Sequence, residues 1–293
     1  RTWSVAAEHQ HVLTDTVTGV VGVGWNGIDA RRADNNAGGG VIEPFPLEDD
    51  SAGNAQAGLT WQASADWLLG ANLARKTRFP TIKDRYSYRL GRAVPNPGLQ
   101  AETAEHLEFS ANGTLLGATT RFALFGSEVD DAIEAVTVAP TACTTAPCTQ
   151  NQNVGRQRNL GAEVALARTF PVIGDVSLDY TWLDRENRNN DDIRPVFTPR
   201  QKFRLVTRTE LGERVALNMN FKAESGRYSQ TNGVRTTAGF GLIDAGVEVR
   251  LVEGLRMLVE GANITDRLYA YDEGFYEAGR TYSLTLLWQP GRE

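Results

Sequence analysis

Apolar and polar residues alternate with period two through most of this chain, which predicts strands with one greasy face and one mostly polar face. In the last such stretch Tyr282, Leu284, Leu286 and Trp288 share one face, and Thr281, Ser283, Thr285 and Leu287 the other. Upstream, Val215, Leu217, Met219, Phe221 and Ala223 oppose Arg214, Ala216, Asn218, Asn220, Lys222 and Glu224. Ile243, Ala245, Val247, Val249 and Leu251 oppose Asp244, Gly246, Glu248 and Arg250 in the same way. No stretch reads as a helix of more than ten residues.

The pattern predicts thirteen strands. They are Thr2–Leu13, Thr16–Trp25, Ala55–Ala63, Trp67–Lys76, Thr103–Asn112, Thr119–Val136, Asn153–Thr169, Val176–Arg185, Arg200–Glu210, Arg214–Ser225, Thr237–Leu251, one from Leu255 and one ending at Trp288. Their connections alternate strictly. Six are short turns, at Thr14-Asp15, Ser64-Ala65-Asp66, near Gly113, Pro171–Asp175, Leu211-Gly212-Glu213 and Glu253-Gly254. Six are long loops: about Asn26–Asn54, Thr77–Glu102, the stretch to Gln152, Glu186–Pro199, Gly226–Thr236, and the loop before the last strand. A β-sandwich mixes loop lengths between its ends, whereas a membrane barrel puts short turns on one rim and long loops on the other.

Alternation alone also fits a soluble sandwich. Three features favour lipid: strands of ten residues or more where sandwich strands average five or six, the segregated loops, and aromatics at strand ends. Trp3, Trp25, Trp61, Trp67, Trp182, Tyr282 and Trp288 sit where an interfacial girdle would. A sheet in lipid must close, because each unpaired backbone group there costs several kcal/mol. The predicted fold is an all-β, antiparallel transmembrane β-barrel, here partial. Gly22 and Gly24 suit a strand whose inner face stays uncluttered.

The chain has 293 residues, 41% of them hydrophobic and 23% charged, so it is not a disordered polymer. It holds no apolar run of about 18 residues, as a spanning helix requires, and barrel strands do not need one. Net charge is −6 and no basic cluster points to nucleic acid. Arg1 already lies in a strand-like pattern with no signal peptide, and the chain is read as a piece of a longer protein.

Cys143 and Cys148 lie in a Thr/Pro/Ala-rich loop. A small disulfide in an oxidising compartment is the favoured reading, with two free thiols as the alternative. A zinc pair lacks neighbouring ligands. Glu8, His9 and His11 read as polar or interfacial positions at a strand's rim, and Asp130-Asp131 and Asp191-Asp192 as solvated loop charges. No P-loop, HExxH or Gly-x-Ser-x-Gly elbow occurs, so neither catalytic residues, nor a metal, nor a cofactor is expected.

The run Asn263-Ile264-Thr265-Asp266-Arg267-Leu268-Tyr269, then Gly274, then Gly279-Arg280-Thr281-Tyr282-Ser283-Leu284, resembles the closing signature of TonB-dependent outer-membrane receptors. Arg78-Phe79-Pro80 followed by Asn96-Pro97-Gly98-Leu99-Gln100-Ala101-Glu102-Thr103 resembles that family's mid-barrel motif, and Asn159-Leu160-Gly161-Ala162-Glu163 a recurrent strand. The resemblance implies a barrel of about 22 strands, of which these 293 residues form the C-terminal portion, beyond an N-terminal plug and the first strands. It implies import of a scarce extracellular ligand such as a ferric siderophore or cobalamin, energised by TonB through the plug. Partners so implied are the outer-membrane bilayer and the barrel-assembly machinery. Gln289–Glu293 follow Trp288, where the family usually ends on an aromatic residue. A passive porin-like channel and a soluble all-β binding domain remain the alternatives.

Anionic chelates and flat ligands favour arginine and aromatic contacts. The candidate ligand residues are therefore Phe79, Arg85, Tyr86, Tyr88 and Arg89; Arg227 and Tyr228; and Tyr271, Phe275 and Tyr276, with Tyr269 beside them. Girdle or loop packing is an equal reading for each. Glu108, Glu163, Asp179, Lys222, Asp244, Glu248, Arg250 and Glu260 are expected on the inner face, toward plug or lumen water, with one of these acids a candidate partner for Arg280.

Overall fold

A computed structural model describes residues 1–38 and 41–289. Its framework is one antiparallel sheet of thirteen strands in sequence order. They are β1 (Thr2–Thr14), β2 (Val17–Ile28), β3 (Asp50–Ser64), β4 (Trp67–Arg78), β5 (Glu102–Leu115), β6 (Ala118–Asp130) and β7 (Gln157–Phe170). Then follow β8 (Gly174–Asn187), β9 (Gln201–Leu211), β10 (Val215–Glu224), β11 (Phe240–Val252), β12 (Leu255–Ala262) and β13 (Thr281–Trp288). Short turns and long connections alternate as the sequence predicts, so every long loop leaves the same rim. The sheet is open, with β1 and β13 as its edges.

The register carries the apolar face unbroken from strand to strand. Leu73, Leu107, Gly126 and Leu160 are successive partners across β4, β5, β6 and β7. Leu217, Val247, Val259 and Leu284 do the same across β10 to β13. A one-residue slip in any pair would turn a whole strand's apolar set to the other side, so the pattern fixes the register. Among the described residues no second layer covers this face: Val23 is 64% exposed, Leu73 56% and Leu284 64%. A soluble sandwich would bury these side chains.

Tryptophans mark both ends of the band. Trp3, Trp25 and Trp182 lie toward the long-loop rim, and Trp61, Trp67 and Trp288 toward the short-turn rim. Three of these rings, of Trp3, Trp25 and Trp67, lie against glycines of the next strand. A Cβ at Gly27 would sit 2.3 Å from the Trp3 ring, and one at Gly113 2.6 Å from that of Trp67, so only glycine fits. Charged pairs, including Arg75–Glu105 at 3.1 Å and Arg158–Glu186 at 2.8 Å, cross the same face above the band on the long-loop side.

The opposite face is a polar network. Gln56 donates to Glu8 at 2.7 Å across Gly22. Arg204 donates to Asn220 at 2.9 Å, and Asn220 to Asp244 at 2.8 Å. Glu248 accepts from Arg208 at 3.1 Å and Arg256 at 3.3 Å. By register, Glu108, Glu163, Asp179, Lys222, Arg250 and Glu260 belong to this face as well.

Three local expectations change. The third hairpin turns at Leu116-Gly117 rather than near Gly113, and β3 begins at Asp50 rather than Ala55. The strand predicted through Val136 ends at Asp130. Asp131 takes a left-handed conformation (φ 55°), and the chain re-enters a separate sheet at Ile133–Thr137. Ile133, Ala135 and Val136 continue a strand-like composition beyond that break, so composition alone could not reveal it. His9 and His11 stand on the apolar face of β1, opposite Val21 and Gly19, with rings 5.9 Å apart and His11 within three residues of the strand's end. Among the described residues no group of three or more His, Cys, Asp or Glu side chains could hold a metal. The residues after Gln289 lie outside the described part of the chain, as do Gly39 and Gly40 in the first long loop.

Candidate functional site

Most of the dry packing lies not in the wall but among the long loops, where Pro80, Leu99 and Cys148 are the most deeply buried side chains. After β4 the chain turns through Pro80 into a one-turn helix, α1 (Ile82–Tyr86). Thr81 caps it: its Oγ1 accepts from Asp84 N at 3.1 Å, and Asp84 Oδ2 accepts from Thr81 N at 2.9 Å. Burial pushes the Asp84 carboxyl up, but the Thr81 hydrogen bonds and Arg78 outweigh it and leave the group below its ordinary range.

The next loop docks on this one. Ala93–Val94, Ile133–Thr137 and Thr149–Asn153 form a three-stranded sheet, and Asn151 donates to Asp84 O at 3.1 Å. Cys143 and Cys148 are joined by a disulfide at its tip. Burial pushes the Glu134 carboxyl up, against the opposing influence of Gln157 at 3.3 Å and Arg185 at 3.8 Å.

The candidate ligand residues divide sharply by exposure. Arg85 is 3% exposed. Its guanidinium donates to Glu48 O at 3.1 Å and Leu99 O at 2.7 Å and pairs with Asp50, so it clamps the loop base and faces no opening. Tyr86 donates to Pro46 O at 3.1 Å and packs on Phe45, while Phe79 is half-buried beside Pro80. Arg227 is buried against Glu224 and lies over the Tyr271 ring at 5.2 Å. Tyr271 accepts from Lys222 Nζ at 2.6 Å and packs edge-on against Phe240 and Tyr269. This cluster pins the last long loop to the inner wall; burial raises the Tyr269 phenol within it. Tyr88, Arg89, Tyr228, Phe275 and Tyr276 remain exposed. The structure brings Arg227, Tyr228 and Tyr271 into one neighbourhood and leaves Tyr88 and Arg89 on a different loop.

Between the β8–β9 and β10–β11 loops opens a cavity of about 740 Å³. Arg185 and Asn187 from β8, Arg194 and Thr198 from the next loop, and Tyr228 and Thr237 line it. Its walls are tied together. Arg194 N donates to Thr231 O at 2.6 Å, Phe197 N to Tyr228 O at 2.8 Å, and Thr231 Oγ1 to Ala135 O at 3.3 Å. Arg185 is held by Gln157 at 2.7 Å, Asn159 at 3.0 Å and Thr198 at 2.8 Å. A polar, arginine-bearing recess at the loop rim can orient an anionic or flat solute by hydrogen bonds and stacking.

Sequence reasoning passed over Arg194 and Thr231, which carry no motif. It also missed the structural role of Asn263. Asn263 takes a left-handed conformation (φ 48°), its side chain bridges Arg267 O at 2.9 Å and Arg267 N at 2.8 Å, and its own N–H reaches Asp244 at 2.8 Å. Arg280 meets no inner-wall acid: its N–H donates to Asp266 at 2.9 Å and its side chain to Ile264 O at 3.4 Å.

A family profile described as "TonB dependent receptor-like, beta-barrel" matches residues 1–264. A search of curated proteins found no match. Among solved structures, the copper transporter OprC superposes with a TM-score of 0.80 at 16% identity, over 98% of this chain and 48% of its own. The ferric-catecholate import receptor Fiu from K12 E. coli, closed form, gives 0.75 at 16% identity over 98% and 44%. The ferric yersiniabactin uptake receptor FyuA from Yersinia pestis gives 0.74 at 15% identity over 97% and 43%. The chain thus spans less than half the length of each structure, and at these identities the likeness speaks to fold. With its thirteen-stranded wall, its loops on one rim and a profile match over nearly its whole length, the chain belongs to the TonB-dependent receptor family, as a stretch of that family's β-barrel.

Proposed function

We propose that this chain is the C-terminal wall of an outer-membrane receptor that captures a scarce extracellular solute, such as a ferric siderophore, and imports it with energy delivered by TonB through an N-terminal plug. The observation that carries this reading is the pairing of a continuous exposed apolar face with long loops gathered over one rim, where the 740 Å³ recess opens. Lipid takes the apolar face, the polar network faces the plug or lumen water, and further strands close the sheet. The protein binds and transports; it does not catalyse. Arg194 and Tyr228 contact the solute, with Arg185 behind them.

The test is iron uptake by starved cells carrying the whole receptor, with radiolabelled ferric-catecholate and ferric-hydroxamate chelates as probes. Uptake that needs TonB, saturates, and falls at least tenfold with Arg194→Ala plus Tyr228→Ala is expected. Unsaturable entry of unrelated small solutes, indifferent to TonB, would make the barrel a passive channel and overturn the proposal.

A further inference from the structure

The short turns are not alike. Those joining β1 to β2 and β3 to β4 present Asp15 and Asp66 to solvent. The next two, adjacent on the rim, present aliphatic side chains: Leu116 and Val172 are each 86% exposed, with Leu115, Ile173 and Leu211 about half exposed around them. Leu116 also occupies the first position of a two-residue turn at φ 51°, followed by Gly117 at φ 76°. That turn type favours asparagine or aspartate before glycine, and a leucine there carries a backbone cost with no packing return.

The patch is built rather than incidental. Arg168 Nη1 donates to Leu116 O at 2.7 Å, and its guanidinium lies 5.0 Å over the Phe170 ring, joining the first turn to β7. Thr209 Oγ1 donates to Ile173 O, joining the second turn to β9. Leu115, Phe170 and Leu211 are also the last members of the outward apolar rows of their strands, so the patch continues the lipid-facing wall without a step.

We infer that this sector of the short-turn rim is sunk into the adjoining phospholipid leaflet, with Leu116 and Val172 at the boundary of acyl chains and headgroups and the Arg168 guanidinium, held at the Leu116 carbonyl, beside the phosphates. The inference rests on the membrane reading of the wall. Lipid is the occupant because the five aliphatic side chains expose on the order of 500 Å², short of the roughly 800 Å² per side that a stable protein partner covers. Arg168, with no carboxylate partner among the described residues, supplies the cation that an interfacial position tolerates and a bilayer centre does not.

The test uses nitroxide labels on introduced cysteines in the whole receptor in phospholipid vesicles, since the native pair is already closed as a disulfide. Labels at Leu116→Cys and Val172→Cys are compared with Asp15→Cys and Asp66→Cys on the same rim and Val247→Cys in mid-wall. The oxygen-to-nickel-chelate collision ratio is expected to be several-fold higher at 116 and 172 than at 15 and 66, approaching that at 247. If 116 and 172 match 15 and 66 while 247 reads as lipid, this inference falls and the membrane wall stands. Low access to both reagents at 116 and 172 would mean a protein covers the patch, which also overturns it. Water-like values at 247 would bring down the membrane reading and this inference together.

Discussion

Replacing Val247 with arginine puts a cation in the middle of the apolar face. Val247 sits in register between Leu217 and Val259, with Leu284 one strand further, and none of these neighbours offers a counter-charge. An arginine near the midplane of a barrel wall costs about 2–4 kcal/mol, whereas the same residue facing the lumen costs little. Each 1.4 kcal/mol is tenfold, so the folding equilibrium should fall by roughly 30- to 700-fold. Thr181→Arg, on the polar face opposite Glu163, is the matched control and should move stability by less than about 1 kcal/mol. Reversible urea unfolding of the whole barrel in lipid vesicles, followed by tryptophan fluorescence, measures both. Val247→Arg within about 0.5 kcal/mol of wild type would mean the face meets water. A larger penalty at Thr181 than at Val247 would mean the faces are assigned backwards.

Arg85→Ala leaves the partly exposed Asp50 and two loop carbonyls without their donor, a loss of about 1–3 kcal/mol; rapid proteolysis between residues 46 and 100 should follow, and unchanged cleavage would refute the clamp. Burial holds the Glu134 carboxyl above its ordinary value, so the folded loop takes up a proton as pH falls through that raised value and is stabilised there; the penalty is fully present above it. Glu134→Gln should therefore slow amide exchange in residues 133–153 at neutral pH and flatten its pH dependence, and faster exchange would show that the Arg185 contact dominates. Asp84 has the opposite sign: its depressed carboxyl contributes stability above the unfolded value near 4, lost as pH falls through the folded one, and Asp84→Asn should cost about 1 kcal/mol at pH 7 but nothing in strong acid. Alkylation without reductant should leave the mass unchanged, and two added labels would refute the Cys143–Cys148 bond.

The wall was legible because strand side chains alternate by geometry, so thirteen runs of period two and their connection lengths can be read residue by residue. Composition carried the girdle as well, since tryptophan is the residue an interface selects. The loop chemistry was not legible in the same way. Arg85, Arg227 and Tyr271 have the side chains a ligand would want, yet each is used up by partners that the sequence does not flag: Glu48, Asp50 and Leu99 for the first, Glu224, Phe240 and Lys222 for the others. A residue's type says what bonds it can make, and only the folded chain says which of them are already made. The same holds for the break at Asp131 and for the recess around Arg194 and Tyr228, which exist because loops far apart in sequence lean on one another. Strand periodicity is a local property and was written in the chain; which arginines stay free is a property of contacts, and the tertiary structure alone decided it.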